Sequence, residues 1–512
     1  MTVSNIATIP DIPGHVLLYA LEAWGHVRPL CVLGARIART QRVRVTIFTP
    51  EGYKDQIYTE LARNIEDECL ELIQIHVVPS NRGNGLNALD MKTLSNSFTA
   101  AYEELIRTDP PDAMIIDAFC NDVFKVIRLK SKKPVKIYLW YPAAATVFAS
   151  MCSPKEIGGR GDPRPDIYAE VSKSGRDIKE VAQEIVLNLP GELLCPPGMH
   201  PMYDHELFPQ VLDPHMLSNL SYLWLAVYES IDLCDGLIFF TSEEYEPAAI
   251  ATVKSWLAKP VYTVGPLLPS PQERSNVGGE NGLTKDTRKI KNFMDGILNS
   301  YGIDSMIYIS FGSLIWPTEP EKLWTVLDVI MAKRIPFIMS LGAPSATIPD
   351  EIVDKVKKYD LGMFAPWTPQ QAILSHPATG WFISHCGQNG TFEAISAGVP
   401  MICWPYLGDQ PFNAIHLTCN FDVAYELFEV RGGEWGSKVI YRTGTTPEGT
   451  LEAVRKEISR VLDEAFEVGG QYKRINMCKL QKTMSTCWKD GGSSKMNFDE
   501  LVETFIPRTG SK

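Results

Sequence analysis

The sequence has no excess of positive charge: 49 lysines and arginines stand against 61 aspartates and glutamates in 512 residues, a net charge of −12. A chain of that sign is repelled by phosphate backbones and anionic membrane surfaces, so no nucleic acid is expected among its partners. No run of apolar residues approaches the ~20 needed to span a bilayer, and no stable membrane insertion is expected. The first thirteen residues have neither the basic start nor the apolar run of a secretory signal. Eleven cysteines are scattered without a Cys-x-x-Cys pair, an odd number that reads as reduced thiols in a cytoplasmic protein. There is no Gly-x-Gly-x-x-Gly, which disfavours a Rossmann dehydrogenase, and no short tandem repeat. There is also no Asp-x-Asp pair to chelate a metal against a diphosphate, so no metal requirement is expected.

What is present is ample apolar material, 45% of the chain, in a length that suits two domains of roughly 200 to 270 residues each. His15 to Leu21 reads as a buried strand that turns at Glu22 to His26 into a helix over Val27 to Ala38. Val43 to Phe48, Ile73 to Val78, Ala113 to Ile116, Val135 to Trp140 and Gly236 to Phe240 follow as strands. Ser153 to Glu184, charged and punctuated by glycine and proline, reads as an exposed excursion plus a helix. The same grammar restarts with strands at Ser305 to Ser310, Phe337 to Ser340, Gly380 to Ser384 and Pro400 to Trp404. Alternation of this kind predicts two α/β domains, each a doubly wound parallel sheet, facing a cleft. The expected divisions are residues 1–266, a linker over 267–288, a second domain over 289–490, and a final helix within 491–512.

One segment of the second half concentrates the polar chemistry. From Trp367 it runs WTPQQAILSHPATGWFISHCGQNGTFEAISAGVPMICWPYLGDQ, in which GWFIS is a strand, HCGQNG a tight turn, and TFEAISAG a helix stopped at Gly398. A helix N-terminus after such a turn offers backbone N–H groups and a positive dipole end to a pyrophosphate. His385 can donate to a phosphate oxygen, and Asn389 with the bare Gly390 lets an anion approach the backbone. Glu393, four residues beyond Asn389 on one helical face, can accept both hydroxyls of a ribose.

All 44 positions from Trp367 to Gln410 resemble, without insertion, the signature of the family 1 UDP-dependent glycosyltransferases. The resemblance implies a GT-B fold, a UDP-sugar co-substrate and no resident cofactor. It places uracil on Trp367, with Thr368 and Gln370 near base and ribose. It puts the phosphates at His385, Gly387, Asn389 and Gly390, the ribose on Glu393, and the sugar hydroxyls on Asp409 and Gln410. The plant form of the signature carries Trp-Asn-Ser where this chain has Gln388, Asn389 and Gly390, the Asn-Gly pair being closer to the animal form. Because that tryptophan contacts the sugar, Gln388 leaves the sugar open, with glucose the first expectation.

Transfer to a hydroxyl needs a base, and a histidine near its ordinary pKa of about 6.5 suits it. Of nine histidines, His26 is best placed, in the turn after the first strand, and Asp117 ends another strand whose carboxyl edge is the same. An aspartate bonded to the far ring nitrogen would fix the tautomer. The family's catalytic histidine sits in a GH-x-x-P turn, matched by Gly25, His26 and Pro29, and its partner in D-x-F, matched by Asp117 and Phe119. The turn Phe311-Gly312-Ser313 resembles the family's phosphate-contacting loop, which assigns Gly312 and Ser313 to the donor. Trp24, Phe119, Trp140, Tyr141 and Phe148 are the candidates for an apolar acceptor pocket. The reading is thus an inverting transferase, expected to be monomeric, acting on a small lipophilic or phenolic alcohol. A UDP-sugar epimerase and a catalytically silent UDP-sugar-binding protein remain the alternatives at this point.

Overall fold

A computed structural model describes residues 12–65, 67–79, 91–268 and 285–506. Most of the linker expected over 267–288 and the last six residues lie outside that range.

Near-continuous apolar runs form strands buried on both faces, as parallel sheets demand. The first sheet contains β1 (Gly14–Tyr19), β2 (Val43–Pro50), β3 (Ile73–Val78), β4 (Ala113–Asp117) and β5 (Lys136–Tyr141). A two-residue hairpin, β6 (Leu193–Leu194) and β7 (Met202–Tyr203), interrupts it before β8 (Gly236–Phe239) and β9 (Val261–Thr263). The order is β3-β2-β1-β4-β5-β8-β9, with every pair parallel. The second sheet takes β10 (Met306–Ser310), β11 (Phe337–Ser340), β12 (Gly362–Ala365), β13 (Thr379–Ser384), β14 (Met401–Cys403) and β15 (Ala424–Glu426). Its order is β12-β11-β10-β13-β14-β15, again all parallel. This is the two-domain α/β architecture of the GT-B fold.

At the edge of the first sheet β9 was not expected from the sequence, and neither were two strands of the second sheet, β12 and β15. The latter two have four and three residues and lie at the two edges of their sheet, where a short run leaves little periodicity to detect. The excursion from Ser153 to Glu184 also holds more order than expected. It contains two helices, Arg164–Ser174 and Ile178–Val186, the first closed by Gly175 in the left-handed conformation at φ +69°. Ile167, Val181, Ala182 and Val186 form a small apolar cluster against Leu225 of the helix Pro214–Leu233.

The helix Ser493–Glu503 buries Phe498, Leu501 and Val502 among residues of the first sheet. Tyr138 on β5 donates to Thr504 Oγ1 at 2.7 Å and meets the Phe505 ring edge-on at 5.7 Å. A buried cluster ties the segment after β7 to the far end of the second sheet. Glu426 accepts from Arg431 and from Arg442, both at 2.8 Å, and Glu206 faces the same two guanidiniums. Buried charges are tolerated when paired in this way.

Candidate active site

In each sheet the strand order reverses once on either side of one strand, and the crevice at the carboxyl end of that reversal is where doubly wound sheets bind ligands. In the first sheet the reversal lies between β1 and β4, whose ends deliver His26 and Asp117. In the second it lies between β10 and β13, where Ser310 pairs with Ser384 and the following residues are Phe311 and His385. The two crevices open into one cavity of about 1150 Å³, lined from both sides.

On the first wall, the helix expected from Val27 begins earlier, at Trp24, so His26 stands in its first turn. His26 Nδ1 lies 2.8 Å from Asp117 Oδ2. Asp117 is fully buried and also accepts the backbone N–H groups of Leu21 at 3.2 Å and Phe119 at 3.1 Å, which fix its plane. A carboxylate only accepts, so the bond places the ring proton on Nδ1 and leaves Nε2 with a lone pair. The imidazole is 21% exposed and faces the cavity.

On the second wall, β13 ends at Ser384, whose Oγ accepts the N–H of Cys386 at 3.1 Å. Cys386 is held left-handed at φ +66°, a strained state for a residue with a side chain, and Asn413 clamps it by donating to its carbonyl at 2.9 Å. Three residues expected in the turn, Gln388, Asn389 and Gly390, form the first turn of the helix Gln388–Ala397. His385 packs over Gly312: a Cβ on Gly312, itself at φ +80°, would stand 2.8 Å from the imidazole. Burial pushes the His385 pKa down to about 4, so the ring is neutral near pH 7, and its sealed Nδ1 has no protein partner. A Cβ on Gly390 would meet nothing closer than 3.6 Å, so the protein's own packing does not demand glycine there.

Asp409 Oδ2 accepts the N–H of Gln388 at 2.8 Å and Asn413 Nδ2 at 3.3 Å, while burial pushes the carboxyl up to about 6. Gln410 is fixed by accepting from the N–H groups of Tyr406 at 2.9 Å and Leu407 at 3.3 Å. The side chain of Gln388 turns toward the first sheet, Nε2 donating to the Phe240 carbonyl at 3.1 Å, and its buried Oε1 has no partner. Thr368 lines the cavity with its hydroxyl engaged by Tyr308 at 2.7 Å and Ser340 at 3.1 Å. Trp367, by contrast, is 55% exposed and presents a free aromatic surface. Gly312, Ser313, Gln370, Gly387 and Glu393 line the same cavity.

Beside His26 the walls touch at two places. Pro29 has no N–H, so the carbonyl of Gly25, four residues earlier, loses its partner inside the helix. Asn389 of the second wall supplies it, Nδ2 to O at 2.9 Å. Beside it, Arg28 donates from Nη1 to Glu393 at 2.6 Å and lies 3.3 Å through Nε from Glu60 of the helix Lys54–Asn64. Gln370 donates to the other oxygen of Glu393 at 2.5 Å. The first helix and Gln388–Ala397 thus meet N-terminus to N-terminus; neither N-cap residue, Ala23 or Gly387, offers a side-chain cap and neither first turn is acidic, the N–H of Gln388 alone being taken by Asp409. Their dipoles favour an anion between them.

The aromatic candidates divide. Tyr141, Phe119 and Trp24 line the cavity, Trp24 resting on Tyr53 with ring centroids 5.8 Å apart. Trp140 does not: successive residues of a strand point to opposite faces, and with Tyr141 facing the cavity Trp140 is sealed in the core beside Phe240. Phe148 is likewise core, packed on Phe239 and Trp256, while Val147 and Met151, one helical turn apart, take the cavity face. Both corrections follow from periodicity. Leu207 and Phe208 lie in the stretch Pro201 to Pro209, which faintly resembles the family's acceptor-proximal loop, and they line the cavity; the sequence reading missed Leu220, Leu223 and Trp224 of the long helix, and Leu314 and Ile315 after β10. A helical stripe was legible in the long helix, with Asp213 before Pro214 as its N-cap accepting from His215 and Met216, but not the wall it would face. Arg28 and Glu60 were missed as well, although a cation in an otherwise apolar helix stretch was a usable signal.

Two doubly wound sheets whose switch points share one cavity, one lined by a phosphate-sized turn and the other by a paired His and Asp, define a GT-B glycosyltransferase architecture. The family model for UDP-glucoronosyl and UDP-glucosyl transferase matches residues 187–427. UDP-glycosyltransferase eriJ of Hericium erinaceus is 30% identical over 511 residues, 96% of this chain and 98% of its own. The chain belongs to the family 1 UDP-glycosyltransferases. Among solved structures, Phytolacca americana UGT2 complexed with UDP-2fluoro-glucose and pterostilbene shares the fold at a TM-score of 0.67 and 21% identity, covering 96% of this chain and 100% of that one. A UDP-glucosyltransferase from Polygonum tinctorium capable of glucosylating indoxyl matches at 0.67 and 21%, covering 97% and 99%. Among the described residues no helix is long and apolar enough to cross a membrane.

Proposed function

We propose that the protein transfers a sugar, glucose in the first instance, from its UDP conjugate to the hydroxyl of a small lipophilic or phenolic acceptor, with inversion and without a metal. The observation that carries this reading is the His26–Asp117 pair, 2.8 Å apart, facing the same cavity as Trp367, His385 and Glu393. His26 Nε2 takes the acceptor proton as the acceptor oxygen bonds to the anomeric carbon. The bond from that carbon to the phosphate oxygen breaks on the opposite face, and UDP leaves with the electron pair. Asp117 stabilises the imidazolium that forms. The N-termini of the two facing helices, neutral His385 and the loop at Gly312 and Ser313 take up the charge on the leaving diphosphate. Trp367 stacks on uracil, Glu393 accepts from the ribose, and Asp409, Gln410 and the unpartnered Oε1 of Gln388 face the sugar.

For the acceptor, the support is the apolar part of the cavity lining, to which Val147, Met151, Leu207, Phe208, Leu223 and Ile315 contribute. The complexed Phytolacca enzyme, which holds UDP-2fluoro-glucose with a stilbene, supports the same pairing of ligands. The absence of Asp-x-Asp from the sequence and the unpaired state of all eleven cysteines favour metal-free chemistry in a reducing compartment. The decisive experiment incubates the protein with UDP-glucose and a panel of phenols and lipophilic alcohols in EDTA, following UDP release and glycoside anomer. A β-glycoside formed in EDTA is expected; retention of configuration or strict Mn²⁺ dependence would refute the mechanism.

A further inference from the structure

Glu393 is the acceptor of the ribose in the reading above, and the inference that follows rests on that role. Its carboxylate has only 1% of its side-chain surface exposed, and each oxygen already takes one bond. A carboxylate offers about four lone-pair sites, so about two remain for vicinal hydroxyls. One holder of the carboxylate is local and rigid. Gln370 accepts from Tyr308 at 3.1 Å, and Tyr308 is bonded through Thr368 to Ser340, a chain anchored on β10 and β11. The other holder comes from the opposite domain, 365 positions away: Arg28, two residues past His26.

We propose that Arg28 is a positioning residue for the nucleotide: from the helix that carries His26 it reaches across the cleft and sets the Glu393 carboxylate in the plane from which it receives the ribose hydroxyls. A guanidinium is planar and permanently charged, which suits it to hold a carboxylate by direction as well as by charge. Its second carboxylate, Glu60, is 4% exposed and anchors the guanidinium from behind, with Arg63 at 3.7 Å from its other oxygen. The arrangement couples the substrates. Seating the ribose on Glu393 draws on the contact that fixes the helix of His26, and the parallel bond from Asn389 to Gly25 secures the same turn.

A plain interdomain tether would have the same contacts, so the test must read ribose recognition itself. UDP and 2′-deoxy-UDP are titrated calorimetrically into the wild type, Arg28→Ala, Glu393→Ala and the double variant. The wild type is expected to favour UDP by roughly tenfold or more, since a hydroxyl bonded to a buried charged group is lost in the deoxy ligand. Glu393→Ala should bring the ratio close to one. Arg28→Ala should bring it to a similar value, and the double variant no further. A ratio preserved in Arg28→Ala, with both nucleotides weakened equally or not at all, overturns the proposal while leaving the Glu393 reading standing. A ratio preserved in Glu393→Ala overturns the ribose reading first. Should Arg28→Ala fail to fold, Arg28→Gln with Glu60→Gln removes the guanidinium and the Glu60 charge together, leaving Glu393 held by Gln370. The same collapse is then expected, and a wild-type ratio again refutes the proposal.

Discussion

The two walls of the cleft are built by opposite means. The second wall is mostly one segment, joined by the loop after β10, in which a strand, a strained turn and a helix N-terminus are held by bonds to the backbone: Ser384 to Cys386, Asn413 to Cys386, Asp409 to Gln388. The first wall, apart from His26 and the charged corner of Arg28, Glu60 and Arg63, is an assembly of apolar side chains from five separate elements, from Phe119 to Trp224. A backbone cradle can be changed only by distorting the chain, whereas a lining of side chains changes one residue at a time. One wall is therefore suited to a constant ligand and the other to a variable one.

That division of labour can be broken by experiment. The largest effect belongs to His26→Ala, expected to lower turnover by roughly 10²- to 10⁴-fold while UDP affinity measured by calorimetry is unchanged. Equal turnover would remove the base from the first wall. Next comes Trp367→Ala, for which loss of stacking should weaken UDP by about 1–3 kcal/mol with no change in acceptor KM. A shift in acceptor KM instead would show that the walls are not separate. Filling the apolar part with Leu223→Trp should raise the KM of bulky acceptors by about tenfold, an overpacking cost near 1–3 kcal/mol, and spare UDP affinity.

The smallest effect is a pH dependence. Burial lifts Asp409 from its ordinary 3.8 to about 6, so between those values the folded chain binds a proton that the unfolded chain has released. Its contribution to stability therefore falls as pH rises from about 4 to about 6 and is level above that. Asp409→Asn should flatten that part of the melting-temperature profile. UDP-glucose affinity should rise a few-fold as pH passes through about 6 and the carboxylate forms, with UDP alone unaffected. An identical profile for both ligands would take Asp409 away from the sugar.

The unequal construction of the walls also explains what could be read in advance. The strand, turn and helix between Trp367 and Gln410 are neighbours in sequence, so their chemistry was visible as a pattern. His26 and Asp117 were visible because each ends an apolar run, and parallel strands put their ends on one edge. The bond between Arg28 and Glu393 carries no such mark, since it depends on how two domains face each other. Aromatic residues look alike in the core and in a pocket. Only the alternation along β5 and the turn of the helix Ala145–Cys152 separate Tyr141 from Trp140 and Val147 from Phe148. The boundaries at His26 and Gln388 shifted by a few residues for a common reason: a helix starts where its backbone is satisfied, and glycine and polar residues conceal that point.

The bond from Asn389 to Gly25 sets a rule for building chimeras. Exchanging the first half of this chain for that of a relative is the obvious route to a new acceptor range, because that half holds most of the apolar lining. The graft would also import its own residue at position 28 and its own carbonyl at position 25. A recombined enzyme could then lose grip on its nucleotide although every residue from Trp367 to Gln410 is untouched. Keeping the parental turn from Gly25 to Pro29 during such grafts keeps the seam intact.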